Sequence, residues 1–301
     1  MLVPRPLLLL PLVTALAAGA CDFDIPPAHT YVVSRLSIPT TGAEAEAFGL
    51  DLDGDGTVDN QLGAALAALP GVDLQPAVSG AVDRGEIILL LNLQTKSFSS
   101  SGDARAEVKL GDPATAMPSA CAGPDDTICR RHLAGGATFQ ISASSPDHAA
   151  LVGKIEGGTF QGGPGEVSFE LSLGGVVTVP IHLIGARARA TGLGEDRIDR
   201  AVIAGGITME RVDREIIPAI RDWIASLVRA SCPGTTPPGC GCPLGPSQGG
   251  ALLLLLDRAP RDCVITSDEI KSVSPLGPDV TIDGKACLSA GVQIEAVSAT
   301  F

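Results

Sequence analysis

The sequence predicts an α+β protein, mostly β: an antiparallel β-sandwich or open barrel with helix-loop-helix segments and one long amphipathic helix. Three observations carry this reading. Apolar and polar residues alternate with period two along much of the chain, as they do in strands that turn one face to a core. Clusters of Gly, Pro, Asp and Ser separate these runs at intervals suited to antiparallel strands. A single stretch switches to the 3.6-residue period of a surface helix.

The elements follow in order. Tyr31 to Ile38 alternates and is the first strand. Glu86 to Leu93 (EIILLLNL) is nearly all apolar and reads as a central, buried strand. Ala104 to Leu110, Thr138 to Ala143, Leu151 to Glu156, Glu166 to Leu173 and Val176 to Ala190 continue the series, with Arg197 to Ile203 as a further candidate. Gly157-Gly158 and Gly162-Gly163-Pro164-Gly165 are expected at hairpin ends. Val212, Ile216, Ile217, Ile220, Trp223, Ile224, Leu227 and Val228 form the apolar stripe of the long helix, which Pro218 should kink by removing an amide donor. Ala290 to Phe301 alternates again and returns to the sheet.

The chain therefore divides into a signal peptide (1–20), a tether (21–27), a β-rich domain (28–230), a Cys/Pro/Gly-rich loop (231–249) and a C-terminal part (250–301) packed on the main domain. In residues 1–20, Arg5 precedes an apolar core and small residues precede Cys21. This is a secretory signal, too short and wrongly flanked for a lasting membrane helix.

The most specific chemistry lies in Asp51-Leu-Asp53-Gly-Asp55-Gly-Thr57-Val-Asp59. A twelve-residue calcium loop draws oxygens from positions 1, 3, 5, 7, 9 and 12, with glycine at 6 for a sharp turn. Asp51, Asp53 and Asp55 fill positions 1, 3 and 5, and Gly56 sits at 6. Thr57 offers its carbonyl at 7 and Asp59 its carboxylate at 9. Position 12 is Leu62 instead of a bidentate glutamate. Binding should therefore be weak, about 10⁻⁴–10⁻³ M, unless Asn60, Gln61 or a distant carboxylate fills in. An Asp/Gly-rich turn without metal is the competing reading. Thr41 to Phe48 and Asn60 to Leu69 are short helices on either side, the second stopped by Pro70-Gly71 and capped by Asp59.

These residues resemble the EF-hand-like calcium loops of bacterial secreted proteins, including dockerin and thrombospondin type 3 repeats. The resemblance spans about twenty residues and implies Ca²⁺, not a dockerin partner. Leu16-Ala-Ala-Gly-Ala-Cys21 resembles a bacterial lipobox, which implies that Cys21 is lipidated and becomes the mature N-terminus. Multiple acyl chains would anchor it stably. Lipobox, acidic turn, β-domain and a second, decayed loop together look like a group of bacterial lipoproteins whose activity is uncharacterised. The location implied is a bacterial cell envelope, periplasmic or surface-exposed.

Two weaker echoes lie downstream. With Glu269 at position 12, Asp262 falls at 5, Cys263 at 6, Ile265 at 8 and Thr266 at 9, while Arg258 and Pro260 cannot ligate through side chains. If the loops pair, Ile265 should pack beside Val58; an ordinary αα-hairpin explains the segment equally well. Asp279-Val-Thr-Ile-Asp283-Gly284 repeats the rhythm with one carboxylate fewer, and a type I turn explains it nearly as well.

Removing Cys21 from eight cysteines leaves seven, which an oxidising compartment would pair. Cys121 pairs with Cys129, and Cys232 with Cys240 or Cys242. One of the latter two reaches Cys263, and Cys287 is left over. Zinc at Cys240-Gly-Cys242 is a poor fit in spacing, with no histidine near.

Beyond Arg5, 20 basic residues face 34 acidic ones, a net charge of −14. Such a chain repels nucleic acid. An outer-membrane barrel would need aromatic girdles, and the chain has one Trp, one Tyr and seven Phe. Catalytic motifs are missing: there is no G-x-S-x-G, no H-E-x-x-H and no phosphate loop, and His182 reads as a satisfied sheet histidine. The expectation is a non-enzymatic, calcium-stabilised lipoprotein with a structural or surface-interaction role and no legible protein partner. A carrier enclosing an apolar ligand in the β-domain comes second, and a hydrolase last.

Overall fold

A computed structural model of the protein describes residues 26–69, 73–147, 149–173, 177–234, 236, 239–242, 247–273 and 276–301. The signal segment, Cys21 and Pro70-Gly71 lie outside the described residues.

The protein is mostly β, built on a large mixed sheet of ten strands. These are β1 (Ala28–Ser37), β2 (Leu89–Thr95), β3 (Gly102–Leu110), β4 (Ala137–Thr138), β5 (Ala150–Glu156), β6 (Thr159–Leu173), β7 (Val177–Leu193), β8 (Arg197–Thr208), β9 (Val280–Ile282) and β10 (Lys285–Thr300). Neighbours run β1-β2-β3-β5-β6-β7-β8-β10, all antiparallel; β9 also pairs antiparallel with β10, and β4 pairs parallel with it. β1 also pairs with β10, so the hydrogen-bonded path returns to its first strand.

Register carries one apolar face around that path. Tyr31 stands opposite Leu91, Leu91 opposite Val108, Ile155 opposite Phe160, Phe169 opposite Ile181, Ala188 opposite Ile203, Ile203 opposite Val292, and Ile294 opposite Leu36. All are buried in one continuous core. Side chains alternate across a strand, so their neighbours, such as Arg105, Glu107 and Arg189, face away. Fully burying one aliphatic side chain contributes about 1.5–3 kcal/mol, so this face outweighs any single polar contact.

Several expectations need correction. Gly162-Gly163-Pro164-Gly165 does not end a hairpin. It lies inside β6, where the register with β7 shifts on either side of Gly165; a strand that must bend uses such a bulge. Gly157-Gly158 does join β5 to β6, both glycines at positive φ (55° and 76°). The strand expected at Thr138 to Ala143 shrinks to β4 and isolated bridges at Thr138 and Ile141.

The long helix is divided. Met209–Arg211 leads into a π-helical turn at Val212–Ile216 and then the α-helix Ile217–Ser231. Pro218 falls in the first turn of the last piece, directly after the π-helical turn in which Ile217 N donates to Val212 O. The wide turn before it absorbs the disruption that sequence placed mid-helix. Ile217, Ile220, Trp223, Ile224 and Val228 are buried as expected.

Three disulfides form: Cys121–Cys129, Cys232–Cys242 and Cys240–Cys263; Cys287 is free and buried. No helix among the described residues is long and apolar enough to cross a membrane.

The acidic turn lies between helices α1 (Gly42–Ala47) and α2 (Gln61–Ala67), against the outer side of β10. Gly291 permits that contact, because a Cβ there would collide with the Phe48 carbonyl oxygen. Gly291→Ala should destabilise the protein by about 1–3 kcal/mol through displacement of α1 and the turn. Urea denaturation measures it; an unchanged midpoint would show that the contact is not restrictive.

Candidate metal centre

Asp51, Asp53 and Asp59 each present a carboxylate oxygen to the others within 4.8 Å. Ligand oxygens lie 2.3–2.6 Å from a calcium ion, so two on one ion are separated by at most about twice that distance. The three oxygens are close enough to share one cation.

The turn builds itself from its own carboxylates. Asp51 Oδ1 accepts from Gly54 N (2.6 Å) and Oδ2 from Gly56 N (3.0 Å). Asp53 Oδ1 accepts from Asp55 N (3.1 Å), and Asp55 Oδ1 from Thr57 N (2.6 Å). Gly54 and Gly56 stand at φ +86° and +87°, where a Cβ would be strained. Asp59 Oδ2 accepts from Leu52 N (2.7 Å), and Asp59 N donates to Leu50 O (3.1 Å), closing the neck of the turn.

Asp55 lies outside the triad. Its visible task is to hold Thr57. Leu62, at position 12, is 8% exposed and belongs to the core. The flanking helices have only six and seven residues.

Asn60 cannot fill the missing position, because its carboxamide is fully engaged. Nδ2 donates to Ala45 O (3.0 Å) and Gly291 O (3.3 Å), while Oδ1 accepts from Gly291 N (2.9 Å) and Gly63 N (3.1 Å). Asn60, not Asp59, caps α2. Its place before the helix was the available signal, since Asn is a favoured N-cap. Gln61 N donates to Ser289 Oγ (2.7 Å), and Ser289 N donates to Asp279 Oδ1 (2.7 Å).

Asp279 thus arrives beside the turn from a distant part of the chain. Burial pushes the Asp59 carboxyl above its ordinary range despite the Leu52 amide, and the charges of Asp53, Asp279 and Asp55 push it further. Four carboxylates therefore share one field. Only the tertiary structure adds Asp279.

The weaker echoes resolve differently. Cys263 does have positive φ (69°), as a position 6 would. Yet the Asp257 carboxylate takes the amides of Asp262 and Cys263, and the sulfurs of Cys240 and Cys263 are joined in a disulfide. Glu269 accepts from Thr266 N (2.8 Å) while Glu269 N donates to Thr266 Oγ1 (3.3 Å). That is a capping box on the helix Ser267–Val273, legible in Thr-x-x-Glu. Ile265 does not meet Val58. It is buried in a cleft with Arg221, Ala225 and Val228, whereas Val58 is 43% exposed. Asp283-Gly284, at φ 50° and 74°, turns β9 into β10. Both signs are positive, so the turn is of the primed kind that suits hairpins rather than type I.

His182 Nδ1 lies 2.6 Å from Ser168 Oγ across β6 and β7, with Glu166 Oε2 3.8 Å from Nε2. Burial, and then Arg211, hold this imidazole below its ordinary pKa. No family model, curated protein or solved structure matches the chain.

The raised Asp59 carboxyl sets a sign. The unfolded chain ionises near the ordinary value, about 3.9, before the folded one does. Its contribution to stability therefore falls as pH rises through that range and stays low above it. Without divalent ions, Asp59→Asn should match the parent in acid and exceed it at neutral pH. Denaturation in chelator from pH 3 to 8 tests this; a variant less stable at pH 7 than the parent would contradict it.

Proposed function

We propose that the protein is an exported calcium-binding protein, lipid-anchored through Cys21 in a bacterial envelope, whose ion stabilises the fold for a structural or surface-interaction role. The observation that carries this is the convergence of Asp51, Asp53 and Asp59 on a turn fastened to the sheet. Thr57 would add its carbonyl. The three disulfides support an oxidising compartment. Calcium would supply charge neutralisation: it offsets the repulsion among the carboxylates and stiffens the link from α1 through α2 to β10.

The returning path of strand pairs and its continuous apolar face support a closed barrel filled by side chains. Tyr31, Leu151, Ile155, Leu183 and Leu288 are at most 1% exposed. This packing ranks the apolar-ligand carrier below the structural reading. Ser168 and His182 are read as a cross-strand pair that satisfies the histidine.

Calcium titration should raise the unfolding midpoint, by about 1.4 kcal/mol at ten times Kd. Asp53→Ala should abolish the effect, and Asp55→Ala should retain part of it. A parent protein indifferent to calcium by calorimetry and melting would end the proposal. A fluorophosphonate probe should leave Ser168 unmodified, and covalent labelling there would overturn the non-catalytic reading.

A further inference from the structure

Arg187, Arg189 and Thr191 alternate along β7, opposite Ala204, Val202 and Arg200 of β8. Period-two alternation puts Arg187, Arg189, Thr191 and Arg200 on one face, away from the buried Ala188 and Ala190. Arg189 and Arg200 are thus diagonal neighbours, and Arg187 follows further along the same face, in a chain with 34 acidic and 21 basic residues.

Eight arginines elsewhere find carboxylates. Arg35, Arg84, Arg105, Arg130, Arg197, Arg211, Arg214 and Arg221 all form ion pairs. Among the described residues Arg187, Arg189 and Arg200 form none, and neither do Arg131, Arg229, Arg258 or Arg261; what sets Arg189 and Arg200 apart is that they line one cleft. Arg200 donates to the Ala47 carbonyl (3.2 Å). Arg187 Nε is buried with no hydrogen-bond partner. Like charges placed side by side on a sheet repel, and a buried donor without a partner costs free energy. Arg187 lines a separate cleft together with Asp53, Glu166 and Asp283, whereas no carboxylate lines the one that holds Arg189 and Arg200.

The face also has a receptacle. A cleft of about 290 Å³ is lined by Arg189, Thr191, Arg200 and Val202 on one side and by Ala47, Gly49 and Leu50 on the other. Its only charged residues are the two arginines. Gly49 shapes the wall: a Cβ there would crowd Val58 and the Asp59 carbonyl, so only glycine lets the chain run this close to the turn. The volume is at the lower limit for small-molecule sites, which suits one compact group. Guanidinium forks bind tetrahedral and planar oxyanions through paired N–H bonds, and Thr191 adds a hydroxyl.

We propose that the Arg189–Thr191–Arg200 cleft binds a tetrahedral oxyanion, a phosphate or sulfate monoester group. The site does not require the metal reading. The net negative charge opposes such a ligand at long range, but charges beyond about 8 Å are screened at physiological ionic strength, so the local cations decide affinity.

The test uses the purified protein titrated separately with inorganic phosphate and inorganic sulfate against a sodium chloride control of equal ionic strength. Calorimetry and arginine Nε–Hε NMR signals are the readouts. Saturable binding with shifts at Arg189 and Arg200 is expected, weakened about tenfold or more in Arg189→Gln or Arg200→Gln. Arg214→Gln, at a residue that lies outside the cleft and pairs with Glu210, should leave it unchanged. Arg189→Lys, which keeps the charge but loses the fork, separates loss of binding from misfolding and should bind with intermediate strength. Preference for phosphate would point to a phosphoryl headgroup or ester, and preference for sulfate to a sulfated glycan. No saturable binding of either ion beyond the chloride control, or binding untouched by both glutamine variants, would overturn the proposal.

Discussion

The carboxamide of Asn60 is the joint on which the candidate metal centre depends. It is 7% exposed, and it uses both donors and both acceptor directions on α1, α2 and β10. A buried amide with every bond made contributes little net stability, but losing one partner leaves a desolvated group behind. Asn60 is therefore less an energetic anchor than a positional one. It fixes where the acidic turn stands relative to Ser289 and Asp279, and the apolar core supplies the energy that keeps this arrangement folded.

Electrostatics follow from that placement. Burial in the turn, and then the charges of Asp53, Asp279 and Asp55, raise the proton affinity of Asp59. On the other side of the same chain segment, Gly49 and Leu50 face the unpaired Arg189 and Arg200. The Arg189 and Arg200 cleft has no lining carboxylate, whereas Asp53 lines a second cleft that also holds Arg187 and Lys285. The short Arg–carboxylate pairs that neutralise charge elsewhere are exposed and individually worth little. These unneutralised groups are where outside ions have most to gain.

Much of the strand pattern was legible, because alternation records burial directly. Tyr31, Leu91, Ile155 and Phe169 were readable as core from spacing alone. Cys121–Cys129 followed from proximity in sequence, whereas the choice of Cys242 for Cys232 and Cys240 for Cys263 was left open by sequence and made by the fold. The bulge at Gly162–Gly165 was misread because glycine and proline mark both chain reversals and interrupted ladders, and only the partner strand distinguishes them. The π turn before Pro218 was missed because periodicity cannot show how a helix relieves a missing donor.

The sequence by itself determined that the protein is mostly β, that Cys121 and Cys129 close a small loop, and that the carboxylates of the 51–59 segment crowd one turn, since all of these depend on residues close along the chain. Tertiary structure alone decided that β1 meets β10, that Asp279 joins the acidic field, and that Arg189 and Arg200 share a cleft with residues of the 47–50 segment. The physical reason is register: hydrogen bonding between distant strands sets which side chains stand opposite, and no local pattern encodes that choice.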